Sequence, residues 1–367
     1  MTFTSASEFI SWHYLIETPL RLSKYNQRSL TDFFYRPISY LHDEKTRSNV
    51  FISDVFHSLV GLYILNATIL DADKNNIDYL IKGCWTSKGF TPIRRDSPYA
   101  KILNRKLLLE DVYSTYYCLG ILILMGRDIG PYSEGILGNF KSWFQSTGWI
   151  YNADWTETII ERRLDIELIQ QALMGLKLGL LLGTEHRDLP YDEQRLSNLL
   201  GYIEKPRYMT SLYHAVLCLK LMQQWDKSKE KYNDVIASYV ISHFEENEKG
   251  FREYQFGDVK IFNYRGMEDG AKGATAKHRF QSDYITSSIN ATTYSLWLGI
   301  EGVRNKLLDF LKLKGKLIVQ FFDDQKCVDG GYGTPIKIAK YTATFGPDVT
   351  SIETCNHIMG SSLASIL

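Results

Sequence analysis

Five aspartates stand at the start of strongly apolar segments. They are Asp54 in SDVFHSLVGLYIL (53–65), Asp111 in EDVYSTYYCLGILILMG (110–126), Asp165 in LDIELIQQALMGLKLGLLLG (164–183), Asp283 in SDYITSSINATTYSLWLGI (282–300) and Asp348 in PDVTSIETCNHIMGSSLASIL (347–367). A carboxyl group serves as a proton donor only if burial or neighbouring carboxylates keep it neutral. The same residue ahead of an apolar run is a good N-cap, because it accepts from exposed backbone N–H groups and favours the positive helix end. Both roles are open to each of the five. A sixth acidic feature, Asp323-Asp324 in FFDDQKCVDGGYG (321–333), invites a metal reading. Its spacing argues against one: the next carboxylate, Asp329, lies five residues on, whereas carboxylates sharing an ion from one helix face need a three- or four-residue step. The pair reads as a solvated helix end.

A second chemical feature is the long Gly-rich segment 252–281, which carries Arg265, Lys272, Lys277, His278 and Arg279. A flexible glycine backbone with Lys and Arg side chains suits an anionic phosphate. An ordinary solvated loop with surface bases has the same composition. Aromatic residues cluster on the apolar segments, among them Tyr113, Tyr116, Tyr117, Tyr284, Tyr294 and Trp297. Aromatic faces can stabilise carbocations, although filling a core is their commoner use.

These residues need elements to hold them, and the elements repeat. An amphipathic segment closes on an aromatic and a Gly-aromatic turn in YLIKGCWTSKGF (79–90), FKSWFQSTGW (140–149), YVISHFEENEKGF (239–251) and LIVQFFDDQKCVDGGYG (317–333). A polar loop follows, and then a segment almost without charge; from Asp111 to Gly126 there is no Lys, Arg, Glu or further Asp. A helix apolar nearly all round must be buried on nearly all sides. YMTSLYHAVLCLKLMQQ (208–224) lacks the leading Asp and completes a set of six. Six buried helices alternating with six amphipathic ones describe two concentric rings, an all-α (α/α)6 toroid, expected to form a single domain over 1–367.

Bulk properties narrow the function. Lys+Arg 42 balances Asp+Glu 42, and no basic run concentrates charge, so nucleic-acid binding is not expected. The longest apolar run, around 116–126, is too short to span a bilayer. The N-terminus lacks a basic segment followed by an unbroken apolar stretch, so no secretory signal is expected. Cysteines 84, 118, 218, 327 and 355 are dispersed without CxxC pairs, as in a reduced, cytoplasmic protein.

Residues 317–333 with 347–359, and 79–90 with 110–126, resemble the repeats of the terpenoid cyclase/protein prenyltransferase α/α-toroid family. VQFFDDQKCVDGGYG followed by PDVTSIETCNHIMG matches best, and the architecture extends over roughly 30–367. The resemblance implies that the inner helices run the same way and that their aspartates ring one mouth of a hydrophobic cavity. Asp283, Asp348, Asp111 and Asp165 then become candidate acids, while Asp54, His57, Tyr113, Tyr117, Tyr284 and Trp297 line the substrate site. Lys277, Arg279 and Arg265 would grip a diphosphate, as GATAKHRFQSDY is similar to the basic stretch ahead of the family's zinc Asp.

Zinc itself is not expected. Ile285 stands where the family has its Cys and Ser351 where it has its His. The Asp-x-Asp-Asp acid of class II cyclases is absent too, with DADK (71–74) holding two of its three acids at the wrong end of its helix. The implied function is an isoprenoid-handling, acid-initiated cyclase without a resident cofactor, with Mg2+ entering only for a diphosphate substrate. Peripheral membrane contact is compatible with this. A metal-independent prenyltransferase-like protein is one alternative. A carbohydrate-active (α/α)6 hydrolase or lyase is another, with Trp85, Trp149 and Trp155 along a groove and Asp154, Glu157 or Asp165 as acids. A non-catalytic toroid holding an apolar ligand or a protein is the third.

Overall fold

The computed structural model describes residues 3–15, 27–103, 105–143, 164–185, 193–206, 209–225, 229–245, 250–251 and 300–324. Among them are twelve α-helices: α1 (Ala6–Tyr14), α2 (Gln27–Ser39), α3 (Ile52–Ile64), α4 (Asp71–Cys84), α5 (Pro98–Leu103), α6 (Val112–Leu124), α7 (Gly130–Phe140), α8 (Leu164–Leu181), α9 (Glu193–Glu204), α10 (Met209–Leu221), α11 (Lys229–Ser242) and α12 (Glu301–Asp324). Two two-residue strands, β1 (Phe244–Glu245) and β2 (Gly250–Phe251), pair antiparallel. The protein is helical, as expected.

Helices apolar all round alternate with helices that keep a wet face. Nine of the thirteen residues of α3 and ten of the thirteen of α6 are buried. Residues 172–181 of α8 are buried throughout, as are most from 212 to 221 of α10. By contrast α4 buries Ile77, Leu80, Ile81 and Cys84, a stripe at helical spacing, together with Asp73, which accepts from Tyr35 Oη–H at 2.6 Å, and leaves Asp71 of its first turn exposed. In α12 the buried stripe is Val303, Leu307 and Leu311, with Lys306, Asp309 and Lys312 exposed. Asp323 and Asp324 are the last two residues of α12.

The chain divides into two compact units. The first holds α1 to α8, most of α9 and the second half of α10. Within it α2 packs on α3, α3 on α6, and α6 on α8, while α1 touches both α3 and α6. The second unit holds the end of α9, the start of α10, and α11 and α12, which pack together. Gly302 lets α12 approach α11, because a Cβ there would collide with the Asn233 side chain. Lys306 pairs with Asp234 at 2.8 Å, and Phe244 meets Phe310 edge-on at 5.3 Å.

Two of the Gly-aromatic turns are small hairpins. Trp85 bridges Phe90 antiparallel across one, and Phe244 pairs with Phe251 across the other. In the first, Thr86 N–H donates to Gly89 O at 3.0 Å, and Phe90 N–H donates to Thr115 Oγ1 of α6 at 3.0 Å. A Cβ on Gly89 would stand 2.9 Å from that hydroxyl. The glycine therefore marks the point where the turn docks onto the next buried helix.

Candidate functional site

The first unit gathers its chemistry where α1, α3, α6 and α8 meet. Helices α3 and α6 lie side by side and run the same way. Tyr63, near the end of α3, donates to the carbonyl of Leu124 at the end of α6. Midway, Tyr117 lies 4.9 Å from Phe56 and 5.1 Å from His57, ring centre to ring centre. Their N-terminal ends consequently share one end of the pair, and these ends carry Asp54 and Asp111.

Asp111 caps α6. Its extended backbone lets the carboxylate accept from Ser114 N–H at 2.8 Å and Ser114 Oγ–H at 2.7 Å. Burial pushes its pKa up to about 6, with the Ser114 hydrogen bonds opposing the rise. Asp54 is not a cap, contrary to the expectation for it. Helix α3 begins two residues earlier with Phe51 in the cap position, and Ile52 N–H donates to Pro92 O at 2.9 Å. A carbonyl from a neighbouring loop thus satisfies one of the free N–H groups of the first turn. Asp54 sits in the first turn instead, its pKa raised by burial.

Next to these helix starts lies an aromatic layer. Phe56, Tyr116 and Tyr117 form its walls, with Phe9 6.3 Å and His13 5.2 Å from Phe56. His13 Nδ1 and Tyr116 Oη share a hydrogen bond of 2.6 Å, and their rings stack at 5.6 Å. His57 donates from Nδ1 to Ser53 O at 2.7 Å, one turn back along α3. Lys177 of α8 is buried and donates from Nζ to His13 O at 2.6 Å. Burial lowers the pKa of His57 to about 4 and that of Lys177 to about 7, and holds His13 well below the usual range. His214 of α10 falls to about 3, through burial first and the charge of Lys177 second. Burial pushes Tyr116 and Tyr117 up, so both stay protonated. The assembly is an apolar, aromatic face whose bases are neutral or nearly so.

Of the residues singled out in the sequence, His57 and Tyr117 are in ring contact, the charge of Asp111 acts on Tyr117, and Asp54 shares with Asp111 the N-terminal end of the helix pair. Tyr113, at the start of α6, adds a backbone N–H that lowers the pKa of Asp111. Asp165 is the second residue of α8, but its side chain lies outside the described residues. Asp283, Asp348, Lys277, Arg279, Arg265, Tyr284 and Trp297 also lie outside them, as does the segment 252–281 apart from its neighbours at 250–251. Trp85 packs against Phe90 at 4.8 Å and Tyr132 at 5.0 Å. Among the described residues no group of three or more His, Cys, Asp or Glu is placed to hold a metal ion. Likewise, no helix among them is long and apolar enough to cross a membrane.

Sequence reasoning missed His13 and Lys177. A signal for Lys177 was present, as it is the lone charge between Glu167 and Glu185, with apolar residues and glycines on both sides of it from Ala172 to Gly183. His13 gave none, because its partner Tyr116 is 103 residues away. No protein-family model matches the chain, and no curated protein sequence matches it.

Proposed function

We propose that the protein is an isoprenoid-handling enzyme of the terpene-cyclase-like kind, built as a single (α/α)6 toroid and acting in the cytoplasm. The observation that carries this reading is the pair of parallel buried helices α3 and α6. They bring two carboxyl groups with raised pKa to one end of an aromatic face. Such a face suits a hydrocarbon chain and a developing carbocation, and an acid with a raised pKa is the group that protonates an alkene. Asp111 is the proton donor in this scheme, with Asp283, Asp348 and Asp165 the further candidates. Lys277, Arg279 and Arg265 bind the diphosphate of a charged substrate. Mg2+ accompanies only such a substrate.

The test is a thermal-shift series with prenyl diphosphates and prenyl alcohols of increasing chain length. Binding to the native state at a hundredfold excess over Kd adds about 2.7 kcal/mol, which a melting curve resolves. Absence of a shift with every chain length overturns the reading.

A second reading, a non-catalytic toroid holding an apolar ligand or a protein, is favoured by one observation: α1 already covers the face of Phe56 and Tyr116. Product analysis after incubation with the ligand that binds best separates the two. A new hydrocarbon or alcohol supports the enzyme, and unchanged ligand supports the binding protein.

A further inference from the structure

Helix α3 is covered on two opposite faces. On one, Gly61 lies against α2, where an added Cβ would stand 2.5 Å from the Phe34 ring. Phe56 is five residues earlier, about 140° round the helix at 3.6 residues per turn. That face meets Phe9 and His13 of α1. Tyr116 and Gly120, one turn apart on α6, meet α1 as well. Tyr116 bonds His13, and a Cβ on Gly120 would stand 2.5 Å from Phe56 and 3.0 Å from Phe9. Helix α1 therefore lies on the side of α3 away from α2, in a seat made by α3, α6 and the Lys177 end of α8.

The character of this seat differs from that of an ordinary core contact. Helix α1 has nine residues, too few to persist on its own in water. What it inserts is a row of apolar and ring side chains: Phe9, Ile10, His13 and Tyr14. Its last turn is held by the buried amino group of Lys177, which donates to the His13 carbonyl. An aliphatic side chain at 177 would leave the His13 carbonyl, one of the free carbonyls of the last turn of α1, buried without a donor, so the lysine matches an oxygen at this point of the seat. A donor at this point of an apolar seat, with the Tyr116 hydroxyl also facing the occupant, suits a molecule that brings an apolar body and an oxygen.

We propose that the face formed by Phe56, Tyr116, Tyr117 and Gly120, with Lys177 at one end, is a binding site for an elongated apolar molecule carrying one oxygen acceptor, and that α1 is its resident occupant, displaced when that molecule binds. This deepens the isoprenoid reading, and it rests on that reading only for the identity of the chain. The ligand's oxygen takes the place of His13 O on Lys177, and its hydrocarbon takes the place of Phe9 and Ile10. A site covered by its own helix for all but about 1% of the time binds about 100-fold more weakly than the uncovered site.

The experiment is limited chymotrypsin digestion of the full chain, following cuts after Phe9, Trp12 and Tyr14, with farnesol or dodecanol as the added probe. Ligand-driven release of α1 predicts cleavage at least 10-fold faster with a probe than without, and Phe9→Ala should tighten probe binding by a similar factor. A synthetic peptide of residues 3–15 should compete with the probe. Acceleration by both alcohols supports the site and removes its isoprenoid selectivity, whereas acceleration by farnesol alone supports both. A probe that raises Tm while leaving cleavage unchanged or slower overturns the displacement and leaves the isoprenoid reading standing. If neither probe binds or alters cleavage, the site is refuted outright. Digestion of the wild-type chain keeps the test decisive even where Phe9→Ala fails to fold.

Discussion

Replacing Lys177 by Met removes a buried cation while keeping most of its volume, and the consequence is calculable. Burial lowers the Lys177 pKa from 10.5 to about 7. At about 1.4 kcal/mol per pH unit, this corresponds to roughly 5 kcal/mol between fully protonated and fully neutral conditions. The sign follows from proton counting. Between pH 7 and 10.5 the unfolded chain keeps the Lys177 proton and the folded chain has released it, so stability rises with pH across that window. Below about pH 7 both forms are protonated and the penalty is fully in place. The buried thiols of Cys84, Cys118 and Cys218, all with raised pKa, pull the other way above about pH 8.5. Between pH 7.0 and 8.5 the wild type should therefore gain about 2 kcal/mol that Lys177→Met does not gain. Urea unfolding at the two pH values measures the difference through the shift in midpoint at constant m. Below pH 6.5 both proteins should lose stability together, because His13, His57 and His214 resist protonation in the folded state. Equal pH slopes for wild type and variant between 7.0 and 8.5 would refute the account of Lys177 as a desolvated ammonium.

The two roles of Asp111 can be separated by substitution. Asp111→Asn keeps a capping oxygen and should leave Tm nearly unchanged while abolishing any acid-initiated turnover; Asp111→Ala should lose about 1 kcal/mol in chemical denaturation, and retained turnover in the Asn variant would remove Asp111 from the chemistry. Gly61→Ala drives a methyl group into the Phe34 ring and should cost about 2 kcal/mol in urea melts. An unchanged midpoint would mean that α2 and α3 are not in the close contact described.

Much of the helical frame was legible because one physical rule writes it repeatedly. An uncharged run long enough for a helix has to be buried, and a Gly-aromatic turn ahead of it has to approach that helix closely. The Gly89 contact with Thr115 gives the rule its atoms. Asp111 was legible as a cap because its cap is local, made with a residue three positions on. Asp54 was misread because α3 solves the same problem non-locally, through the Pro92 carbonyl. Serine and aspartate at 53–54 have the composition of a cap, and composition does not reveal that a loop some forty residues later has already supplied the acceptor. Helix α1 was illegible as part of the site for a related reason. Its partners His13–Tyr116 and His13–Lys177 join residues more than a hundred positions apart.

The placement of polar groups separates the readings better than the placement of aromatic ones. Aromatic side chains between buried helices are what any core of this composition would contain. Any helix also brings free carbonyls at its C-terminal end that need donors. Helix α1 brings its last-turn carbonyl against Lys177 and, beyond what a helix end requires, the His13 ring against Tyr116. A polar contact buried in this way adds little net stability but is expensive to leave unmade. It would therefore make the proposed seat selective for occupants with an oxygen in the right place. The acids lie elsewhere on the same helices, at the N-terminal ends of α3 and α6, and the described geometry gives Lys177 a bond to α1 rather than to a carboxylate. An acid that has no cation bonded to it can hold a proton, and an amine that has no carboxylate bonded to it can hold a neutral ligand's oxygen. Were Asp111 paired with Lys177, both groups would be ionised and neither function could follow. Keeping acid and amine out of hydrogen-bond contact, on helices that share one aromatic layer, is the feature on which both the proposed acid chemistry and the proposed ligand seat depend.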